Sequence, residues 1–206
     1  MADQPRVVGI FLFDGFEPLD VFGPVEVFGV IGKRFKLVLL GPQAGPVRSS
    51  SGQQVIPDHA WDDDVALDIV LVPGGLGTRR EASNERLLSA LRKHARTAEL
   101  TTSVCTGSGL LAAAGLLDGK RATSNKLAFA WVRSQGPRVE WVPEARWVED
   151  GDVVTSAGVT AGIDMALAIV ARLHGRELAE GVANGIEHEW HSDPSWDPFA
   201  RRAGLV

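Results

Sequence analysis

Leu100-Thr101-Thr102-Ser103-Val104-Cys105-Thr106-Gly107-Ser108-Gly109-Leu110-Leu111 joins two patterns with no loop between them. Glu99 to Val104 is rich in β-branched and apolar residues and reads as a strand, whereas Thr106 to Leu117 reads as a helix. A strand running straight into a helix is the repeating unit of a parallel sheet covered by helices. The same alternation extends outward. Upstream, Arg6 to Phe13 reads as a buried strand halted by Asp14-Gly15, and Pro18 to Gly32 as a helix whose first turns are disturbed by Pro24. Phe35 to Leu40 is a second strand, and Leu67 to Val72 a third that ends in Pro73-Gly74-Gly75. Val47 to Ile56, centred on Ser51-Gly52, fits a hairpin that covers a sheet edge. Asn84 to Arg96 is an amphipathic helix with Ser83 as candidate cap. Downstream, Arg146 to Val148 and Val153 to Ser156 flank Glu149-Asp150-Gly151-Asp152, a hairpin signal. Thr160 to His174 is an apolar helix stopped by Gly175, and Arg176 to Glu189 a final helix. The order predicts an α/β fold, a mostly parallel central sheet with helices on both faces and added β-hairpins. Ligands of such sheets bind beyond the carboxyl ends of the central strands. The loops after the first strand, after Val72 and after Val104 reach that edge.

At 206 residues and 22.0 kDa the chain has the length of one domain spanning residues 1–206. Its mean hydropathy of +0.03 is that of an ordinary globular chain. Twenty-one Lys and Arg against 26 Asp and Glu leave a net charge of -5, which gives a nucleic-acid backbone no electrostatic attraction. No apolar run approaches the roughly 18–20 residues that cross a bilayer, so no membrane partner is expected. Met1-Ala2-Asp3-Gln4-Pro5-Arg6 carries no secretory pattern, and a cytoplasmic chain is expected. Gly41-Pro42-Gln43-Ala44-Gly45-Pro46 is too short to link domains. The lone cysteine excludes an internal disulfide framework and a cysteine-cluster metal site.

That leaves Cys105 as core filler, a surface thiol or a nucleophile. It stands at the strand–helix join, with Gly107 and Gly109 inside the next turn, in the layout of a nucleophile elbow. A thiol there faces the positive end of a helix and unpaired N–H groups, which predicts a depressed pKa. Pro73-Gly74-Gly75-Leu76-Gly77 supplies backbone N–H groups at the same edge, fit to receive developing negative charge. A phosphate loop is the other reading of this turn, but neither P-loop nor dinucleotide spacing is present.

Asp14, Glu17 and Asp20 follow the first strand. Asp20 has the most apolar neighbours. A carboxyl there, beside a thiolate, keeps its proton because two anions repel in low dielectric, and it can then act as a general acid. The plainer reading of Asp20 is a residue flanking a helix. Among the histidines, His94 and His174 read as surface residues, and none falls in a segment placed at the elbow. His188 and His191 bracket Trp190, but the run lacks the i, i+4 histidine pair of a helical metal site, and no metal is expected. Trp190 and Trp196 are the tryptophans singled out for pocket contact.

Leu19-Asp20-Val21-Phe22-Gly23-Pro24, Val72-Pro73-Gly74-Gly75, Ser103-Val104-Cys105-Thr106-Gly107-Ser108, Ala114 to Thr123 and Gly158-Val159-Thr160-Ala161-Gly162-Ile163-Asp164 together resemble the ThiJ/PfpI superfamily of glutamine-amidotransferase-like proteins. The resemblance covers nearly the full length, and within the superfamily it is to isonitrile hydratases. It implies a flavodoxin-like three-layer sandwich, a homodimer, no cofactor and a small-molecule substrate. It also implies Cys105 as nucleophile and Asp20 as its acidic partner, with Gly75, Leu76 and Thr106 as backbone donors. The implied reaction converts an isonitrile to an N-formamide. Asn125 stands where family members often carry a histidine, so Asn125 and Gly74 are the possible substrate contacts. Without that histidine, peptidase, amidase and glyoxalase-type readings lose their base. Aldehyde or glycated-adduct repair, a cysteine oxidation sensor and the ligand-binding part of a regulator are the alternatives, the last disfavoured by a chain that ends at Val206.

Overall fold

The computed structural model describes residues 4–43 and 45–206; Met1 to Asp3 and Ala44 lie outside the described residues, and with them part of the N-terminal reading and of the Gly41–Pro46 segment. A seven-stranded sheet runs in the order Trp147–Asp150, Val153–Ser156, Leu100–Ser103, Ile69–Val72, Arg6–Phe11, Phe35–Gly41, His59–Ala60. All neighbours are parallel except the Trp147–Asp150 and Val153–Ser156 pair, which forms the expected antiparallel hairpin. Val8 pairs with Ile69, and Val70 with Thr101, so the three central strands end in register and their following loops meet.

Arg6–Phe11 and Ile69–Val72 are almost wholly apolar because both faces are covered, and Leu100–Ser103 is buried as well although it carries Thr101, Thr102 and Ser103. Val8, Ile10, Phe11, Ile69, Val70, Leu71 and Val72 are fully buried. The Pro18–Gly29 and Ala161–His174 helices pack together on one face, with Arg176–Gly185 against the latter. Glu85–Ala95 and Gly107–Ala113 cover the other, joined by Phe129–Gln135. The molecule is thus a flavodoxin-like three-layer sandwich. Val47–Arg48 and Gln54–Val55 form the second expected hairpin, tied to the first-strand loop by a bridge between Phe16 and Ser49.

Several expectations need correction. The elbow helix stops at Ala113, because Gly115 turns the chain with φ +76, instead of continuing to Leu117. The cap of Glu85–Ala95 is Asn84 and not Ser83, and no side-chain cap bond forms. Arg176–Gly185 ends four residues before Glu189, and the last helix is Phe199–Arg202. His94 is 3 % exposed, its Nε2 lying 3.1 Å from the Trp61 carbonyl, and burial lowers its pKa. His174 is half-buried, edge-on to Phe35. Among the described residues no helix is long and apolar enough to cross a membrane.

Candidate active site

The first turn after Leu100–Ser103 does what its residues require. Cys105 has φ +57, a left-handed backbone that non-glycine residues adopt at a cost of about 1–3 kcal/mol. That conformation persists because the elbow is held from several sides. The Cys105 N–H donates to the Ala157 carbonyl at 3.3 Å, and its own carbonyl accepts the hydroxyls of Ser124 at 2.8 Å and Ser108 at 3.2 Å. Sequence alone does not single out Ser124, since only folding brings residue 124 under residue 105.

Asp20 lies in the first turn of the Pro18–Gly29 helix and is fully buried. Its Oδ2 accepts the Gly74 N–H at 2.8 Å, and the Glu17 N–H donates back to the Gly74 carbonyl at 2.8 Å. The Gly74 amide, expected as a substrate contact, is therefore committed to the acid. Burial pushes the Asp20 carboxyl up to about 8 against the lowering effect of that amide, with the Glu17 charge adding to the rise. The acid keeps its proton at neutral pH.

Cys105 itself is 6 % exposed, and burial pushes its thiol above the ordinary range, with the Asp20 charge second. This corrects the expected depression. The elbow helix has only seven residues, and the Thr106 amide and hydroxyl that do stabilise sulfur charge are outweighed by lost solvation. The resting site holds a neutral acid beside a neutral thiol.

The predicted backbone donors separate. Gly75, at φ +121, packs so that a Cβ would lie 2.3 Å from the Gly15 carbonyl oxygen, and its N–H donates to Thr106 Oγ1 at 3.1 Å. The Gly75 amide is thus engaged by Thr106, while the Leu76 amide has no internal acceptor among the described residues and the Thr106 amide points at the Cys105 sulfur. The Thr78 hydroxyl donates to the Gly75 carbonyl at 2.7 Å and sets that turn.

A fourth loop, not placed at this edge by sequence, completes the pocket. Val153–Ser156 runs parallel to the elbow strand, so its carboxyl end delivers Gly158 and Val159 beside Cys105. A Cβ on Gly158 would sit 2.7 Å from Cys105 Sγ and 2.9 Å from Asn125 Nδ2. Sulfur and carboxamide thus flank one point. Asn125 Oδ1 accepts the Ala128 N–H at 3.1 Å, which turns Nδ2 inward. A cavity of about 300 Å³ opens here, with Glu17, Leu76, Asn125, Leu127 and Val159 in its wall.

Trp190 and Trp196 do not line that cavity. They fasten the C-terminal segment instead: Trp190 Nε1 donates to the Asp164 carbonyl at 3.2 Å, and Trp196 stacks on His191 with ring centres 4.2 Å apart. Asp164 is a buried hub that accepts Arg146 Nε at 2.5 Å and lies 2.9 Å from His188 Nε2. Among the described residues no group of three or more His, Cys, Asp or Glu is placed to hold a metal ion.

A parallel α/β sheet with a buried cysteine elbow and a carboxyl facing it defines a class of domain. A model of the DJ-1/PfpI family matches residues 6–172. An isonitrile hydratase of Pseudomonas putida is 37 % identical over 183 residues, covering 88 % of this chain and 78 % of the relative. The HTH-type transcriptional regulator GbdR of Pseudomonas aeruginosa is 32 % identical over 191 residues, covering 90 % of this chain but 52 % of the regulator. A crystal structure of a ThiJ/PfpI family protein from Pseudomonas syringae superposes with a TM-score of 0.83 at 29 % identity, covering 100 % of this chain and 86 % of that one. The chain belongs to the DJ-1/PfpI family.

Proposed function

We propose that the protein is a cysteine-dependent isonitrile hydratase-like enzyme that converts an isonitrile to an N-formamide. The observation that carries this reading is the pairing of the Cys105 elbow with an acid, Asp20, held protonated at neutral pH. An isonitrile carbon becomes electrophilic once protonated, so the first requirement is a neutral acid next to a nucleophile. Asp20 gives its proton to the isonitrile carbon as the Cys105 sulfur bonds to it. The carboxylate formed takes up the S–H proton, leaving a thioimidate on sulfur and a protonated acid. The acid then protonates the thioimidate nitrogen, and the resulting carboxylate draws a proton from water as the water oxygen adds to the carbon. Collapse of that adduct expels sulfur, which regains its proton, and releases the N-formamide. Leu76 and Thr106 amides face the charge that develops during hydrolysis. The reading takes a small-molecule substrate without a cofactor, in a cytoplasmic homodimer.

Two observations weigh against the alternatives. Aldehyde or glycated-adduct repair draws on a cysteine–histidine pair, and Asn125 occupies the wall opposite Cys105. An oxidation sensor draws on thiolate character, and burial acts against it here. The test is N-formamide formation from a simple aryl or alkyl isonitrile. Turnover by the wild type and none by Cys105→Ala supports the reading; no wild-type turnover, or undiminished turnover by the variant, overturns it.

A further inference from the structure

Next to the Cys105 cavity lies a second one of about 650 Å³, and the two share Leu76 and Arg79 in their walls. The second is basic: Arg48, Arg79 and Arg80 line it against one acid, Asp14. In a chain with more acidic than basic residues, three guanidinium groups around one cavity need an explanation.

The partners of these arginines supply it. Arg80 is neutralised by Glu81 at 2.8 Å and is also anchored to the Asp14 carbonyl at 2.9 Å. Arg48 and Arg79 are held by neutral groups. Arg48 Nη1 donates to the Gly52 carbonyl at 2.9 Å. The Arg79 guanidinium stacks 4.2 Å over the Trp131 ring, and its Nη1 donates to Thr78 Oγ1 at 3.1 Å. Neither makes an ion pair among the described residues. Contacts of this kind fix the direction of a guanidinium and leave its charge uncompensated, which is how an anion site is prepared in advance.

We infer that this groove binds a carboxylate borne by the substrate, so that an isonitrile or related electrophile reaches Cys105 with its anionic end between Arg48 and Arg79. The inference rests on the proposed reading of Cys105 as the reacting atom. It specifies a monoanion because the Asp14 carboxylate, which accepts the Arg48 backbone N–H at 2.8 Å, offsets one of the two unpaired guanidinium charges and leaves a surplus that one negative charge balances.

The test uses charge-matched alkylating probes, so that it does not depend on hydration chemistry. The labelling rate of Cys105 is measured by mass spectrometry with 4-(2-iodoacetamido)benzoate and with its methyl ester, each corrected for its rate with a free thiol. The carboxylate is expected to label the wild type about five-fold faster than the ester at low salt, from two exposed charge contacts. That preference disappears in Arg48→Gln/Arg79→Gln, is largely kept in Arg79→Lys, and shrinks in 0.5 M salt. Benzoate, and less effectively phenyl phosphate, should slow the labelling, whereas benzamide should not. Equal wild-type rates, or a preference that survives in the double glutamine variant, overturn the inference. Phenyl phosphate protecting better than benzoate overturns the choice of a carboxylate. Isonitrile turnover with no charge preference sinks the groove alone. A charge preference with no isonitrile turnover sinks the hydratase reading and leaves the groove standing.

Discussion

Lys126 and Asp197 form an ion pair at 2.8 Å with side chains only 5 % and 1 % exposed, joining the C-terminal segment to the wall of the Cys105 cavity. Lys126 Nζ also donates to the Ala145 carbonyl at 2.8 Å and Thr123 Oγ1 at 2.9 Å, so its charge is met on several sides. Asn125 and Leu127, its chain neighbours, both line the cavity. Asp197→Ala leaves the ammonium buried without its counter-charge, which costs about 3–5 kcal/mol. Thermal unfolding of the variant should show a lowered Tm, and Cys105 should alkylate faster as its cover loosens. An unchanged Tm would mean that the pair does not hold the segment.

Asp20 ties activity to stability in opposite directions. Its carboxyl titrates near 8 in the folded protein and near 3.8 when unfolded, so the folded state holds the proton over that interval. Stability then declines as pH rises from about 4 to about 8, because ionising the acid favours the unfolded chain. Asp20→Asn, which still accepts the Gly74 N–H, should be more stable than the wild type. The gap should widen up to pH 8, toward an upper bound on the order of 5 kcal/mol. The same variant should lose turnover, and wild-type turnover should fall above pH 8. Denaturant unfolding at several pH values checks the sign; a gap that narrows with rising pH contradicts it.

The left-handed backbone at Cys105 yields a separate prediction. Glycine adopts φ +57 freely, whereas alanine pays the same steric penalty as cysteine. Cys105→Gly should be more stable than Cys105→Ala by about 1 kcal/mol, with both inactive. A Cys105→Ala variant as stable as the glycine one would argue that the elbow is unstrained.

Gly158 keeps open the space between sulfur and carboxamide. A methyl group there lies within contact distance of both Cys105 Sγ and Asn125 Nδ2. Gly158→Ala should abolish turnover and slow Cys105 alkylation by about 100-fold or more, while its far-ultraviolet circular dichroism stays native. Full activity in that variant would move the reacting point elsewhere.

Local features of the site were legible in sequence, and long-range ones were not. The strand–helix join at Cys105, the glycine turn at Gly74–Gly75 and the apolar setting of Asp20 each announce themselves within a few residues. The direction of the thiol's pKa did not, because it depends on four loops closing over one atom. Residue 158 reaches residue 105 only through the parallel pairing of Val153–Ser156 with Leu100–Ser103. Lys126 looks like any surface lysine until Asp197 arrives from the far end of the chain. Arg48 is likewise unremarked in a hairpin, and it becomes chemically pointed only beside Arg79. His94 sits in a charged helix whose pattern suggests exposure, yet its face of that helix meets Trp61.

The two ends of the central sheet bear on how copies of the protein can associate. At one end His59–Ala60, a strand of two residues, covers only Leu40 and Gly41 of Phe35–Gly41, whose uncovered part is short and carries Lys36, and the other end is Trp147–Asp150, whose outer half carries Glu149 and Asp150. Neither offers a long, uncharged ladder of free amides and carbonyls. Strand-to-strand addition at either end of this sheet is therefore a poor route to a dimer and to fibrillar aggregation alike.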